Sequence, residues 1–519
     1  MKTDELMDAI TELDDALLNE AAGTPSPEEV RAAKRAERAA ARRKLIFRAG
    51  AAAALITLVL LLAPVFGNRK NGDDGKTPAS EAPKAGGIIE APHDSAGAKL
   101  LAQPVYPKEM SWKEERENPL VQGPAYARVM NGREAADLYR GFFGDMMLLL
   151  LSDQEEKSAV MSPVNIFMAT AMLAEITDGE TRQEILNALG VSTLEQLRDQ
   201  AAKVWGLCYK DDGREKTVLG NSLWMSDKLS FRESTVKQLA EHYYASSFIG
   251  EMGSPDYDRL LQKWLSDMTD GLLHDKTEGI RLAPDTAFAL FSTVLYQTKW
   301  NDEFNKFYTK AGTFHTPSGD AEAQFMSARH DSTQWFSAEG GRFVSRWTRQ
   351  GEVWFFLPDE DVSLSEMMQK EWFREFISTR YDTRDYYVTG SDGNYQYVTA
   401  HGVTPHLAWV NLTLPKLDMS CEIDLTDAIR KMGINTAFSG DEADYTAITD
   451  QEGVYLKDAV QDTRLVMDEE GISAASYVEY LSGEPMLDEE IDLVFDRPFF
   501  MLVTGADGIP LFAAVVNEP

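Results

Sequence analysis

The sequence feature that most constrains this chain is a run without charge at residues 49–67, because it divides the chain into two parts of different character. The centre of the run is Leu-Ile-Thr-Leu-Val-Leu-Leu-Leu, at positions 55–62. Nineteen residues that rise about 1.5 Å each span roughly 30 Å, the thickness of a bilayer core. The run therefore predicts a single transmembrane signal-anchor helix at residues 49–67.

The charges on either side of this run predict its orientation in a cell membrane. Eight Lys or Arg side chains lie within residues 31–48, and only four lie in the twenty residues after the run. Because basic residues favour the cytoplasmic side, residues 1–48 are expected to form a cytoplasmic tail, with a short amphipathic helix and a basic stretch. A cleaved signal peptide is the alternative, but a 48-residue leader is longer than the usual charged region before such a peptide.

The chain after the run is predicted to contain a linker and one large extracellular domain. Residues 68–118 begin with a segment rich in Gly, Pro, Ala and Ser, which is typical of a flexible linker. Residues 119–519 are then long enough to bury a large core. The 84 acidic and 51 basic side chains exclude a nucleic-acid partner, and two cysteines make no disulfide framework.

Hydrophobic patterning in the large domain indicates an α+β fold. Helical patterns come first, at residues 135–151, 163–176, 181–189 and 193–205. Strand patterns follow at residues 218–225, 286–299 and 410–417, and a hairpin is expected around residues 506–508. The run at 286–296 is apolar on both faces and is therefore expected to be a central strand that is covered on both sides.

The sequence contains no pattern typical of an enzyme. It has no Gly-x-Ser-x-Gly, no His-Glu-x-x-His and no phosphate-binding glycine loop. Its seven histidines show no metal-ligand spacing. We therefore expect no catalytic activity, no cofactor and no metal, and a hydrolase is the weakest of the functions considered.

Several segments resemble the serpin family, in the family's order and at roughly its spacing. They lie at residues 160–173, 177–190, 220–225, 295–300, 412–417, 432–438, 468–471 and 496–500. The resemblance implies a serpin fold with about eight to nine helices, three β-sheets and an exposed reactive-centre loop. It also implies a monomer that inhibits a serine protease irreversibly through a covalent complex. The tail and short anchor resemble those of single-span proteins of Gram-positive bacteria.

The resemblance also implies roles for residues around the central sheet. Asn165, Ser292 and Gln461 match the family's shutter in mid-sheet, where Gln461 replaces the usual histidine. Lys416 and Glu469 match an ion pair in the breach at the top of the sheet, which also contains Trp300. We expect this pair to be exposed and to contribute little energy.

The expected reactive-centre loop spans residues 469–487, and it begins with a hinge whose composition suits insertion into a sheet. The residues of this hinge are Glu469, Glu470, Gly471, Ile472, Ser473, Ala474, Ala475 and Ser476. An inserting strand must point alternate side chains inward, and these must be small or apolar. One face of residues 472–480 carries Ile, Ala, Ser, Val and Tyr, whereas the single charge, Glu479, lies on the other face. Ile472 and Tyr477 are bulkier than is usual in the family.

The bond that a protease cuts is predicted from chemistry, since counts from the two ends of the loop disagree. Scission is expected between Met486 and Leu487, because most serine proteases cut poorly after proline; the alternative bond joins Pro485 to Met486. Met suits a medium hydrophobic pocket, as in elastase-, subtilisin- or chymotrypsin-like proteases. The alternative function is a non-inhibitory, serpin-fold ectodomain that binds a surface partner.

Overall fold

The computed structural model describes residues 54–63, 98–109, 111, 113–114, 124–271, 279–379, 386–389, 395–472 and 489–519. Most of the α-helices in these residues precede the longest run of strands. They are α1 Pro124–Leu138, α2 Arg140–Leu151, α3 Pro163–Ile176, α4 Gly179–Ala188, α5 Leu194–Cys208, α6 Glu233–His242, α7 Pro255–Met268, α8 Leu364–Met368, α9 Glu371–Ser378 and α10 Thr426–Lys431.

The strands of the described residues form two large sheets and one hairpin. They are β1 Ala54–Ala63, β2 Ala98–Ala102, β3 Ala159–Met161, β4 Lys210–Asp211, β5 Lys216–Ser226, β6 Ala245–Gly250, β7 Phe288–Lys299, β8 Lys310–Thr316, β9 Gly319–Ala338, β10 Gly341–Trp347, β11 Glu352–Pro358, β12 Tyr387–Thr389, β13 Tyr395–Tyr397, β14 Val403–Pro415, β15 Leu417–Asp424, β16 Tyr455–Met467, β17 Gly471–Ile472, β18 Glu490–Val494, β19 Phe499–Thr504 and β20 Pro510–Val516. The α+β prediction is confirmed.

The first large sheet is built around β7, the strand that is predicted to be central. Its order is β15-β16-β1-β7-β5-β6-β2, with β17 paired to one end of β7 and β4 paired to β5. All residues of β7 except Gln297 are buried, which explains why the strand is apolar on both faces. The central position predicted for residues 286–299 is confirmed.

The second large sheet has the order β18-β14-β9-β10-β11-β19-β20-β3, with β8 paired to β9. Every residue of β19 and β20 is buried, and the two strands form the expected C-terminal hairpin. Asp507 and Gly508 turn the chain there with φ values of 55° and 70°. The third sheet pairs β12 with β13 as an antiparallel hairpin.

Helix α3 lies between the two large sheets and packs against β7 of the first and β20 of the second. Ser162 caps the helix by accepting a hydrogen bond from the backbone N–H of Asn165, and Pro163 occupies its first turn. All of its residues are buried. The helix predicted at residues 163–176 is confirmed.

The single helix expected at residues 135–151 is divided in two. Tyr139 separates α1 from α2, and its backbone angles (φ −104°, ψ 3°) are not helical. The ring of Tyr139 is fully buried, with its centroid 4.2 Å from that of Phe167. The next residue, Arg140, donates hydrogen bonds to the carbonyls of Asp507 and Gly508. These contacts stabilise the interruption between α1 and α2. The sequence does not reveal it, because the apolar periodicity continues through Tyr139.

Part of the predicted flexible linker is ordered, which corrects the expectation for residues 98–109 of the 68–118 segment. Strand β2 pairs with β6 at the edge of the first sheet. The Tyr106 ring stacks on Trp205 at 5.3 Å between centroids, and Glu109 accepts a hydrogen bond from the backbone N–H of Asp211. The short apolar stretch at residues 98–102 pairs with the edge strand β6, although the sequence around it has the composition of a linker.

Residues 54–63 form strand β1, not the transmembrane helix that their hydropathy predicts. The strand fills the space between β7 and β16 and is antiparallel to both. Among the helices of the described residues, none has the length and apolar character needed to cross a bilayer. Hydropathy does not distinguish these outcomes, because a buried strand and a membrane helix both require an uninterrupted apolar run. Residues 49–53 and 64–67 of the predicted span lie outside the described residues.

Candidate functional site

The middle of the first sheet carries a buried hydrogen-bond network that joins α3 to the strands on either side of β1. The Asn165 side-chain amide donates to the Ser292 hydroxyl at 3.0 Å, and Gln461 donates to the Asn165 side-chain oxygen at 3.5 Å. All three predicted shutter residues are fully buried. The structure therefore brings Asn165, Ser292 and Gln461 together beneath the sheet.

Two further contacts extend this network to the helix cap and to β5. Gln461 accepts a hydrogen bond from the Ser162 backbone N–H at 3.1 Å and donates to the Ser162 carbonyl at 3.3 Å. On the other side, the Ser292 hydroxyl donates to the Asn221 side-chain oxygen at 2.6 Å. The network thus links β16, α3, β7 and β5, and separation of β7 from β16 must rearrange it.

The predicted breach pair lies at the top of the same sheet. Lys416 Nζ is 2.7 Å from Glu469 Oε2, and the Thr309 hydroxyl donates to Glu469 Oε1 at 2.8 Å. Glu469 is 5% exposed, so the expectation of an exposed pair is wrong for the carboxylate. Burial alone raises the pKa of Glu469, but the hydrogen bonds from Lys416 and Thr309 outweigh it and lower the pKa.

Trp300 is fully buried beside this pair. Its indole N–H donates to the Asp468 carbonyl at 3.0 Å, and its backbone N–H donates to the Glu470 carbonyl at 3.3 Å. Lys306 forms an ion pair with the Glu470 carboxylate. The segment 468–470 is therefore held to the top of β7 by side-chain and backbone contacts together.

Arg346 is a buried charge at the breach that no sequence pattern indicates. Its guanidinium lies 4.0 Å from the Phe304 ring centroid and 5.3 Å from that of Trp300, and it forms an ion pair with Asp331. Burial lowers the pKa of Arg346 to about 9, against an opposing effect of Asp302. Its partners lie far away in sequence and follow no motif, so no local signal predicts the cluster.

Gly471, the third residue of the predicted hinge, has a backbone conformation that favours glycine. Its φ is +141°, and a Cβ at this position would lie 2.6 Å from the Lys299 Cα. Gly471 and Ile472 pair with Lys299 and Thr298 as strand β17. The strand position between β7 and β16 is called the column below, and β1 occupies most of it. The first two residues after Glu470 pair with β7 at the end of the column nearest the breach, which is called its head.

The remaining predicted hinge residues, Ser473 to Ser476, and the reactive bond at Pro485, Met486 and Leu487 lie outside the described residues. The chain is described again from Glu489, whose carbonyl accepts a hydrogen bond from the Trp409 backbone N–H at 2.8 Å. Strand β18 then pairs in parallel with β14. The two ends of the loop are therefore fixed to different sheets.

Comparisons with known proteins agree with this arrangement. A family model described as "Serpin (serine protease inhibitor)" matches residues 140–519. The chain is 25% identical over 387 residues to Serpin-ZX of Arabidopsis thaliana, covering 70% of this chain and 93% of that protein. It is 23% identical over 413 residues to plasminogen activator inhibitor 1 of Neovison vison, covering 77% and 97%.

Solved structures show the same fold. Native tengpin, a thermophilic serpin, matches with a TM-score of 0.58 at 17% identity, covering 82% of this chain and all of tengpin. Arabidopsis AtSerpin1 in its native stressed conformation matches with a TM-score of 0.57 at 21% identity, covering 75% of this chain and 99% of that one. Because the family model spans well over half of the residues, the chain belongs to the serpin family.

Proposed function

We propose that this chain is a membrane-tethered, irreversible suicide-substrate inhibitor of extracellular serine proteases of the elastase, subtilisin or chymotrypsin type. The observation that carries the proposal is strand β17, because the first residues of the loop pair with β7 at the head of the column next to β16. Extension of this pairing feeds the loop down the sheet one residue at a time. Relatives of the chain include proteins named alpha-1-antiproteinase, from Cavia porcellus among other species.

In the proposed reaction the protease serine attacks the Met486 carbonyl. The peptide bond to Leu487 breaks, the new α-amino group leaves, and Met486 becomes an acyl ester of the protease. Insertion of residues 473–486 between β7 and β16 then carries the ester away from the site of attack. About ten new backbone hydrogen bonds, each worth about 1 kcal/mol net, are comparable with the stability of a whole domain and are sufficient to distort the protease.

The small residues on the inward face of the hinge provide a matched test. Ala474 and Ala475 are neighbours of the same type, and the alternation of an inserting strand points them to opposite faces. Ala474→Arg is expected to abolish SDS-resistant adducts with elastase or subtilisin while cleavage continues, because a buried guanidinium blocks insertion. Ala475→Arg is expected to retain adduct formation. Equal adduct yields from the two variants would contradict the proposal.

The bond is tested by mass spectrometry of the released C-terminal peptide. Cleavage at Met486–Leu487 leaves Leu487 as the new N-terminus, whereas cleavage at the alternative bond leaves Met486. Absence of an adduct between the membrane-bound protein and every elastase, subtilisin and chymotrypsin tested, despite cleavage in this loop, would favour the non-inhibitory alternative.

The proposed location is the cell membrane, with residues 1–48 in the cytoplasm and the large domain outside. The uncharged run at 49–67 and its basic N-terminal flank support this orientation. Immunoblots of membrane and medium fractions test it. Full-length protein in the membrane fraction is expected, and a shortened, fully secreted form would contradict the anchor.

A further inference from the structure

Strand β1 is completely integrated into the first sheet. On one side, Leu55 to Ala63 pair with Arg464 to Tyr455 of β16, with one register shift near Leu61. On the other side, Ala54 to Leu62 pair with Tyr296 to Phe288 of β7. At mid-strand, Leu58 lies opposite both Ser292 and Gln461, the two strand residues of the buried network.

Strand β1 and the start of the loop occupy the same column of the sheet. Ile472 pairs with Thr298, and Ala54 pairs with Tyr296, two residues further along β7. Continuing the register of β17 residue by residue would place Ala474 opposite Tyr296 and Ser482 opposite Phe288. These are the partners that Ala54 and Leu62 have in the structure.

The direction of β1 is also that of an inserted loop. Both β17 and β1 are antiparallel to β7, and β1 is also antiparallel to β16. A loop that enters from Ile472 would run the same way between the same two neighbours. The segment 54–63 therefore has the position, direction and length of the strand that insertion would create.

The same segment has a second environment that suits it. Residues 49–67 carry no charge, so exposure of this run to water is unfavourable, and both a bilayer and a sheet interior remove it from water.

Residues 64–97 connect β1 to β2 and extend to at most about 120 Å. Three strands separate β1 from β2, a distance of roughly 20 Å. The connection is long enough for β1 to leave the sheet while β2 stays.

We propose that residues 54–63 are a built-in competitor of the reactive loop, and that burial of residues 49–67 in a lipid bilayer withdraws them from the sheet. The inference rests on the proposed inhibitory function. While β1 is seated, a protease cleaves the loop and departs, because the column is full. When β1 is held in a bilayer, the column is open and the cleaved loop inserts. Inhibition is thus confined to membrane-bound molecules.

A disulfide between β1 and β16 tests the seated state in the full-length chain. Leu60 and Ala459 are directly opposed, and opposed residues of antiparallel strands have Cα separations of about 4.5–5.5 Å, within disulfide range. L60C/A459C is made in a Cys421→Ser background, since Cys421 is only partly buried. The control, L60C/V466C, moves the second cysteine seven residues along β16, roughly 23 Å away.

Oxidation of lipid-free protein is expected to cross-link L60C/A459C at least tenfold more than L60C/V466C. Reconstitution into phosphatidylcholine vesicles before oxidation is expected to remove that difference. A lipid-free yield of L60C/A459C no higher than that of the control would overturn the proposal. So would a yield of L60C/A459C in vesicles equal to its lipid-free yield.

The functional consequence is measured on the same variant. The oxidised form is expected to be cleaved by elastase with at least a tenfold loss of SDS-resistant adduct, and reduction followed by vesicle reconstitution is expected to restore the adduct. Adduct from the oxidised form in the same yield as from the reduced, vesicle-bound form would overturn the proposal. If the reduced, vesicle-bound form makes no adduct, the inhibitory function itself fails. The rise in melting temperature on loop cleavage, which is expected only in the reduced, vesicle-bound form, then still decides whether β1 blocks insertion.

Discussion

At the residue scale, the carboxylate of Glu469 fixes the point from which the loop departs. It is buried, and its partners Lys416 and Thr309 come from different parts of the chain. Removal of one partner from a buried ion pair leaves an uncompensated charge, which costs more than the loss of an exposed pair. Lys416 is partly exposed, so solvent screening reduces this cost.

Lys416→Ala is expected to lower the free energy of unfolding by about 1–3 kcal/mol at pH 7. The pKa of Glu469 is lowered in the folded state, so its contribution is present above the unfolded pKa and is lost as the pH falls through the folded pKa. The deficit of the variant should therefore shrink in acid, as measured by urea unfolding between pH 3 and 7. The Thr309→Val variant keeps the charge pair, so its free energy of unfolding should fall less than that of Lys416→Ala. A deficit that does not change with pH would contradict this account.

Glu352 predicts the opposite pH dependence. Burial raises its pKa to about 7, despite hydrogen bonds with Ser345 and Trp354. The pKa of Glu352 is higher in the folded state than in the unfolded state. The stability that its protonated form contributes is therefore fully present below the unfolded pKa and is lost as the pH rises toward 7 and beyond. Glu352→Gln should therefore gain about 1–3 kcal/mol relative to the parent between pH 5 and 8. Parallel stability curves for the two proteins over that range would refute the prediction.

At the element scale, the segment 98–109 is a strap that joins the edge of the first sheet to α5. Strand β2 pairs with β6, and Tyr106 stacks on Trp205, whose indole N–H donates to the Leu219 carbonyl at 2.9 Å. The strap therefore contacts a helix that is itself bonded to β5. Its contribution should appear in the stability of the whole sheet.

Tyr106→Ala is expected to lower the free energy of unfolding by about 1–3 kcal/mol, because it removes ring stacking and apolar burial. The neighbouring Val105 is 88% exposed, so Val105→Ala is a matched control with little expected effect. Chemical denaturation of both variants makes the comparison. Equal losses would show that the strap contributes nothing through Tyr106.

At the scale of the whole molecule, loop insertion predicts a large change in stability. Cleavage between Met486 and Leu487 should raise the melting temperature of the vesicle-bound protein by on the order of 10–30 °C, as about ten backbone hydrogen bonds form. Differential scanning calorimetry before and after brief elastase treatment measures the change. The Ala474→Arg variant should show little rise. No rise in the parent protein would favour the non-inhibitory alternative.

Much of the fold could be predicted because local patterns and global packing agree. The two-sided apolar pattern of β7 identifies a central strand, and Ser162 with Pro163 marks the start of α3. The network of Asn165, Ser292 and Gln461 was located only through the family resemblance, since these residues are far apart in sequence. No local sequence pattern indicates a hydrogen bond between residues so far apart.

The failures have physical causes of the same kind. The break at Tyr139 depends on tertiary contacts with α3 and the C-terminal hairpin, which an uninterrupted apolar period does not reveal. Strand β1 satisfies its backbone through two strand edges supplied by distant residues, whereas a helix would satisfy it internally. Length and hydropathy favour the helix, and only the topology of the sheet shows the second possibility.

The filled column between β7 and β16 has a further consequence for chains crowded on one surface. An open column exposes two rows of unpaired backbone groups, which can take up the loop of a neighbouring copy and begin a head-to-tail polymer. In the structure β1 pairs with both rows within one chain. Lipid-free, full-length protein is therefore expected to run as a single species on a native gel after mild heating. A ladder of polymers would show that β1 does not protect the column.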